Sequence, residues 1–312
     1  MEYRALGKSG PKVSCVGLGC NNFGVRLDFE ATRAVVHKAL ELGVTLFDTA
    51  DSYGGRGGSE AFLGRILGPR RADVVLATKF GWPMDKEETL KGASRRYIMT
   101  AVEASLKRLQ TDWIDLYQQH VPDPATPIDE TLRALDDLVR QGKVRHIGCS
   151  GFTSGEIDAA LQTSTRENLA AFVSCQGQYS LLARDVEKEL MPALERHGLA
   201  LIPFAPLANG MLTGKYRAGA PLPVNTRLTN RASPRYLNDA NWQVLEKLRA
   251  FCESRGRSVL KLAFSWLLAH PAVPSVIAGA MTPEQLQQNV DAAGWKLTAG
   301  DMAEIDGLTR KA

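Results

Sequence analysis

Asp48 and Tyr53 are the first two residues in this chain whose types and spacing suggest chemistry. They lie in Gly43-Val44-Thr45-Leu46-Phe47-Asp48-Thr49-Ala50-Asp51-Ser52-Tyr53-Gly54, where a short β-branched and apolar run breaks into acids, hydroxyls and glycines. In a parallel sheet such a break falls at the carboxyl end of a strand, where α/β folds hold their sites. Other apolar runs end in the same manner. Lys79 closes Ala77-Thr78-Lys79, His120 follows Asp115-Leu116-Tyr117-Gln118-Gln119, and Ser150 and Gln176 end two further runs. Five polar side chains at successive strand ends would converge on one mouth of a barrel.

These groups support a narrow chemistry. A free tyrosine titrates near pH 10, too high for an efficient general acid at neutral pH. A cation beside the phenol favours its ionised form, so Lys79 is expected to lower the Tyr53 pKa. Asp48 would pair with Lys79 and hold the ammonium, and His120 would orient a substrate oxygen. The set can give a proton to a forming alkoxide, yet it contains no nucleophilic Ser or Cys and no paired metal ligands. A proton donor without a nucleophile needs a hydride from elsewhere, which implies a nicotinamide cofactor. A metal-dependent hydrolase fits less well, because His120 alone among the histidines stands at a strand's carboxyl end, whereas His146 lies within a strand.

The elements that must position these residues alternate along the chain. Strands are expected at Val16–Cys20, Val44–Asp48, Val74–Thr78, Ile114–Tyr117, Val144–Cys149, Phe172–Cys175, Leu199–Pro203 and Ser275–Ile277. Helical spacing runs through Phe29–Leu42, Glu60–Leu67, Tyr97–Leu109, Ile128–Val139, Ser154–Leu161, Asp185–Glu195, Ala240–Glu253, Leu260–Ala269, Pro283–Ala292 and Ala299–Leu308. Eight β/α units with no Pro-, Gly- or Ser-rich linker predict one (β/α)8 TIM barrel domain over residues 1–312. Tyr3–Leu6 and Val13–Cys15 read as a hairpin capping the amino-terminal end of the barrel. Residues 205–237 form a long connection after the seventh strand, carrying Lys215, Arg217, Arg227 and Arg231, and read as a flap over something anionic. Phe23, Trp82 and Phe152, each just beyond a strand end, are candidate pocket walls beside Tyr53 and His120.

Bulk properties agree with an ordinary soluble globular protein. Hydrophobic residues make up 44% and charged residues 23%, and 38 basic against 34 acidic side chains leave a net charge of +4. Arg70-Arg71 and Arg95-Arg96 stand without a longer basic run, so neither nucleic acid nor a membrane is an expected partner. No apolar run is long enough for a bilayer, and Met1-Glu2-Tyr3-Arg4 is no signal peptide. Five cysteines without a C-x-x-C pair fit a reduced, cytoplasmic protein. Gly17-Leu18-Gly19-Cys20-Asn21-Asn22 lacks the third glycine and later acid of a dinucleotide fingerprint, and Gly54–Ser59 lacks the Gly-Lys-Ser/Thr of a phosphate loop.

Several motifs together carry a family resemblance. Gly43 through Gly54 matches G-x-x-x-x-D-T-A-x-x-Y-G; Thr78-Lys79-Phe80-Gly81, Leu116-Tyr117-x-x-His120 and Gly214-Lys215-Tyr216 follow in order. Nearly the whole chain resembles the aldo-keto reductases, in the bacterial branch that is also similar to potassium-channel β subunits. The resemblance implies a tetrad of Asp48, Tyr53, Lys79 and His120, with Tyr53 as general acid. It implies cofactor contacts at Gly19, Cys20, Asp48, Ser150, Gly151, Gln176, Phe204, Pro206, Leu207 and Gly210. Gly279, Met281, Gln285, Gln288 and Asn289 would serve the adenosine end.

Departures from the family pattern are specific. Gly151 replaces an asparagine, Phe204 a tyrosine that stacks on the nicotinamide, and Gln288 an acid. No basic residue lies in 279–289, so Lys215 and Arg227 would bind a 2′-phosphate, which favours NADPH, with NADH possible. The implied activity is reduction of aldehyde or ketone groups of small or medium carbonyl compounds. A cofactor-binding regulatory subunit with slow turnover is the alternative. The substrate, preferred direction and oligomeric state are left open.

Overall fold

A computed structural model of the chain describes residues 1–224, 226–230 and 236–310. Arg231, one of the basic residues expected on the flap, lies outside the described residues. Strands β1 (Tyr3–Ala5) and β2 (Lys12–Ser14) form an antiparallel hairpin. Eight strands then follow: β3 (Val16–Gly19), β4 (Leu46–Asp48), β5 (Val75–Phe80), β6 (Ile114–Gln119), β7 (Val144–Ser150), β8 (Phe172–Gln178), β9 (Ala200–Phe204) and β10 (Val276–Ala278). All ladders between them are parallel, in the order β10-β3-β4-β5-β6-β7-β8-β9. The seam between β9 and β10 is bridged by the Leu201 N–H, which donates to the Ala272 carbonyl at 2.7 Å.

Helices ring the barrel: α1 (Phe29–Glu41), α2 (Tyr53–Leu67), α3 (Arg95–Leu109), α4 (Ile128–Arg140), α5 (Ser154–Glu167) and α6 (Leu190–His197). A short α7 (Arg227–Asn230) lies in the long connection, followed by α8 (Asp239–Glu253), α9 (Val259–Leu268), α10 (Pro283–Asp291) and α11 (Ala299–Thr309). Their boundaries follow local chemistry. Thr153 and Glu156 form a capping box that opens α5, and Gln110 in a left-handed conformation ends α3. In α4, Leu132, Leu135 and Leu138 recur at helical spacing and are buried against the barrel wall.

The expected (β/α)8 barrel with its hairpin and long loop is present. Differences are local. The helix expected over 185–195 is a 3₁₀ turn (Asp185–Glu187) followed by α6, and β6 runs two residues beyond the expected Tyr117.

The hairpin closes the amino-terminal end by inserting side chains. Leu6 and Val13, both 0% exposed, pack against Leu46, Ala77, Leu116 and Ile277 inside the barrel. The Lys8 N–H donates to the Gly198 carbonyl at 2.9 Å and ties the hairpin to the loop before β9. Burying a side chain of this kind stabilises by about 1.5–3 kcal/mol. A larger core lies between the strands and the helices, where Tyr117 and Phe80 meet at 4.8 Å between ring centroids.

Candidate active site

Inward side chains alternate along each strand, so two residues separate one layer of the barrel interior from the next. Rising one step from Leu46, Ala77 and Leu116 brings Asp48, Lys79 and Gln118 inward. Asp48, Gln118 and Gln176 come from β4, β6 and β8, alternate strands whose residues share a layer in an eight-stranded barrel. They meet accordingly. Gln176 Nε2 donates to Asp48 Oδ1 at 2.6 Å and to Gln118 Oε1 at 3.0 Å, and Gln118 Nε2 reaches Asp48 Oδ1 at 3.3 Å.

Lys79 enters the layer from β5. Its Nζ donates to Asp48 Oδ2 at 2.6 Å and to the Thr49 carbonyl at 2.8 Å, with both charged side chains almost wholly buried. Burial opposes the ammonium, but the Asp48 charge and the Tyr53 and Asp48 hydrogen bonds outweigh it, so the Lys79 pKa is raised. Lys79 therefore stays charged at neutral pH.

Tyr53 is aimed by the turn after β4. The Thr49 N–H donates to the Ala77 carbonyl at 2.8 Å and the Asp51 N–H to the Lys79 carbonyl at 3.0 Å, stitching the turn to β5. Beyond Tyr53 the backbone is left-handed at Gly54 (φ 72°) and Gly57 (φ 109°). A Cβ on Gly54 would lie 2.3 Å from the Ser59 nitrogen, so the tight turn admits glycine alone without a shift. The result places the Lys79 Nζ 5.0 Å from the Tyr53 ring centroid.

The net effect on the phenol differs from the sequence-based expectation. Burial, the largest cause, raises the Tyr53 pKa, and the Asp48 charge adds to it; Lys79 lowers it by charge and hydrogen bonding but does not prevail. The correction has a plain cause: the ammonium is already neutralised by Asp48, while the phenolate would have to exist out of water. Tyr53 is thus a neutral, proton-bearing group. His120 stands edge-on to it at 5.7 Å between rings. Burial first and the Lys79 charge second push His120 down to about 2, so its imidazole is neutral.

Tyr53 and His120 open into a cleft of about 770 Å³, within the roughly 300–1,000 Å³ common for small-molecule sites. Asp48, Ser150, Gly151 and Gln176 line it, as do Gly19, Cys20, Gly279, Met281 and Gln285. Phe204 lines it from the end of β9, and Pro206, Leu207, Gly210, Lys215 and Arg227 line it from the long connection. Trp82 stands at the rim, 48% exposed.

Besides Lys79, which is buried beside Asp48, four expected residues do not line the cleft. Phe23 is fully buried in the outer core, and only its carbonyl backs onto the Gly54 turn. Phe152 packs edge-on against Phe172 at 5.8 Å instead of forming a pocket wall. On α10, Asn289 is buried and Gln288 is exposed away from the lining. Gln285 and Gln288, three residues apart, share the exposed face of α10, while Leu286 and Asn289 share its buried face.

Gln118 is the functional-layer residue that the sequence reading missed. Strand alternation through Leu116, Gln118 and His120 was the signal that carries it.

The cleft lining combines polar groups, an aromatic face and positive charge. The Ser150 hydroxyl makes no hydrogen bond among the described residues, and Gly151 (φ 72°) keeps the adjoining backbone open. Phe204 presents an aromatic face, 37% exposed. Lys215 and Arg227 supply positive charge, while the acid in the lining, Asp48, is matched by Lys79.

Comparison with known proteins agrees with this geometry. The family model described as "Aldo/keto reductase family" matches residues 15–310. The chain is 36% identical to L-glyceraldehyde 3-phosphate reductase of Escherichia coli strain K12, across 98% of this chain and 92% of that one. It is 38% identical to the uncharacterized oxidoreductase YrpG of Bacillus subtilis, across 94% and 91%. It is 36% identical to a probable voltage-gated potassium channel subunit beta of Arabidopsis thaliana, also across 94% and 91%.

Proposed function

Because this chain belongs to the aldo/keto reductase family and is an oxidoreductase of it, we propose that it reduces aldehydes and ketones of small or medium size with NADPH, Tyr53 acting as general acid. The reading treats residues 1–312 as one catalytic domain working on small molecules in the cytoplasm. The observation that carries it is the buried Asp48–Lys79 pair set beneath a neutral Tyr53 at the mouth of the cleft.

The cofactor, when bound, supplies the hydride. Ser150 and Gln176 would hold its carboxamide, Phe204 would cover its ring, and Lys215 and Arg227 would meet the 2′-phosphate. The chain's own residues manage the proton. His120, neutral and unable to compete as an acid, orients the carbonyl oxygen toward the Tyr53 hydroxyl. As negative charge grows on that oxygen, Tyr53 releases its proton, and the Lys79 ammonium stabilises the phenolate left behind. Asp48, anchored by Gln118 and Gln176, keeps the ammonium under the ring.

Similarity to a channel β subunit supports a second reading, a cofactor-binding regulatory subunit with slow turnover. Mixing the protein with NADPH and 4-nitrobenzaldehyde separates the two. Sustained multiple turnover, faster with NADPH than with NADH, supports the reductase. Tight NADPH binding with at most a single slow turnover on every aldehyde tried would support the regulatory role.

A further inference from the structure

Among the described residues the cleft is lined by three cations, Arg26, Lys215 and Arg227, against one acid, the already paired Asp48. Lys215 and Arg227 belong to the nucleotide reading. Arg26 does not.

It stands exposed on the loop between β3 and α1, with no acid within ion-pair distance among the described residues. The acid on its own loop, Asp28, is committed to α1, where Oδ1 accepts the Ala31 N–H at 2.9 Å. The loop is well fixed. Asn22 O receives the N–H groups of Arg26 at 2.9 Å and Leu27 at 3.0 Å, and the Gly24 N–H donates to the Leu27 carbonyl at 3.0 Å.

Arg26 lines the same cleft as Tyr53, His120 and Lys215. A Cβ on Gly24 would fall 3.1 Å from the Gly54 Cα, so this loop rests on the turn that aims Tyr53. The Lys215 ammonium is pushed down first by burial and then by the Arg26 charge. Two cations lining one cleft without a counter-charge repel, and an anion bound there relieves the repulsion. A guanidinium presents paired donors that match a carboxylate or phosphate.

We propose that Arg26 is a specificity-determining residue that receives the phosphate or carboxylate of an anionic carbonyl substrate whose reacting end lies at Tyr53 and His120. The proposal rests on the carbonyl-reduction reading above and names the substrate class of the same site. The cofactor's own phosphates are the competing anion for Arg26.

Steady-state kinetics of the whole protein with NADPH test it, using glycolaldehyde phosphate against glycolaldehyde and succinic semialdehyde against butanal. Wild type should favour the anionic member of a pair in kcat/KM. Arg26→Ala should lower kcat/KM for that member by about 10- to 100-fold, mainly through KM, as expected for loss of a charge-assisted hydrogen bond. The neutral aldehydes and the NADPH Kd should stay within about twofold, and Arg26→Lys should restore part of the loss. A loss confined to the phosphate pair would assign a phosphoester, and a loss in both pairs would assign anions generally.

Equal losses on charged and neutral aldehydes would overturn the proposal. So would a raised NADPH Kd with the anion preference intact, because Arg26 would then serve the cofactor. If wild type reduces the neutral pair but gains nothing from the anion, the proposal falls while the reductase reading stands. If it reduces none of the four but turns over 4-nitrobenzaldehyde, the proposal falls alone; if it turns over none of the five, both fall.

Discussion

The lower and upper halves of the barrel interior are built from the same strands and do opposite things. On β4, Leu46 is followed two residues later by Asp48; on β5, Ala77 by Lys79; on β6, Leu116 by Gln118. One pleat separates hydrocarbon sealed by the hairpin from a charged pair held by amides. The lower layer gains from losing water. The upper layer tolerates its loss because each charge has a partner: Asp48 accepts from Lys79, Gln118 and Gln176. A buried ion pair rarely stabilises relative to an apolar core, so its retention beneath Tyr53 points to chemistry.

Breaking the upper layer should have the largest effect. Lys79→Met leaves Asp48 charged and buried, which should cost about 3–5 kcal/mol of stability and reduce turnover by about two orders of magnitude or more. Adding Asp48→Leu to that variant should recover most of the stability and none of the rate. Urea melts beside initial rates would separate the two; recovery of rate would show that the pair is structural. Lower-layer damage should behave in the reverse way. Leu6→Ala opens a cavity at the plug and should cost about 2–5 kcal/mol, with the rate per folded molecule unchanged. A matching fall in kcat would mean the halves are coupled.

The smallest effect concerns a carboxyl behind the site. Asp51, 1% exposed, is pushed up to about 7 by burial and then by the Glu60 charge, and its Oδ1 has no hydrogen-bond partner. Its folded pKa therefore lies above the unfolded value of 3.8. Between those values the native state holds a proton that the unfolded chain has released, so stability falls as pH rises through the window. Asp51→Asn should remove that slope and raise Tm by a few degrees at pH 8 while changing little at pH 4. An identical pH–Tm curve in the variant would place the titration elsewhere.

Much of this division was legible in the sequence. The alternation of apolar runs with helical spacing was enough for eight barrel units, and abrupt polar endings located Asp48, Lys79, His120, Ser150 and Gln176. Three features depended on packing that no local pattern reports. Gln118 was passed over because its run was read as ending at Tyr117, although Leu116 and His120 bracket it on the inward face. Phe23 and Phe152 follow strand ends but turn into the outer core, since an aromatic after a strand can face either way. The raised Tyr53 pKa arises from burial, which the chain makes only after Gly54, Phe23 and the β5 backbone have closed round the turn.

Single-turnover reduction by Tyr53→Phe, measured beside NADPH binding, addresses the proton donor directly. The account predicts a rate lower by about 10²–10⁴-fold, with the fold and the NADPH Kd essentially kept. A variant that binds NADPH normally and reduces aldehydes at the wild-type rate would contradict it.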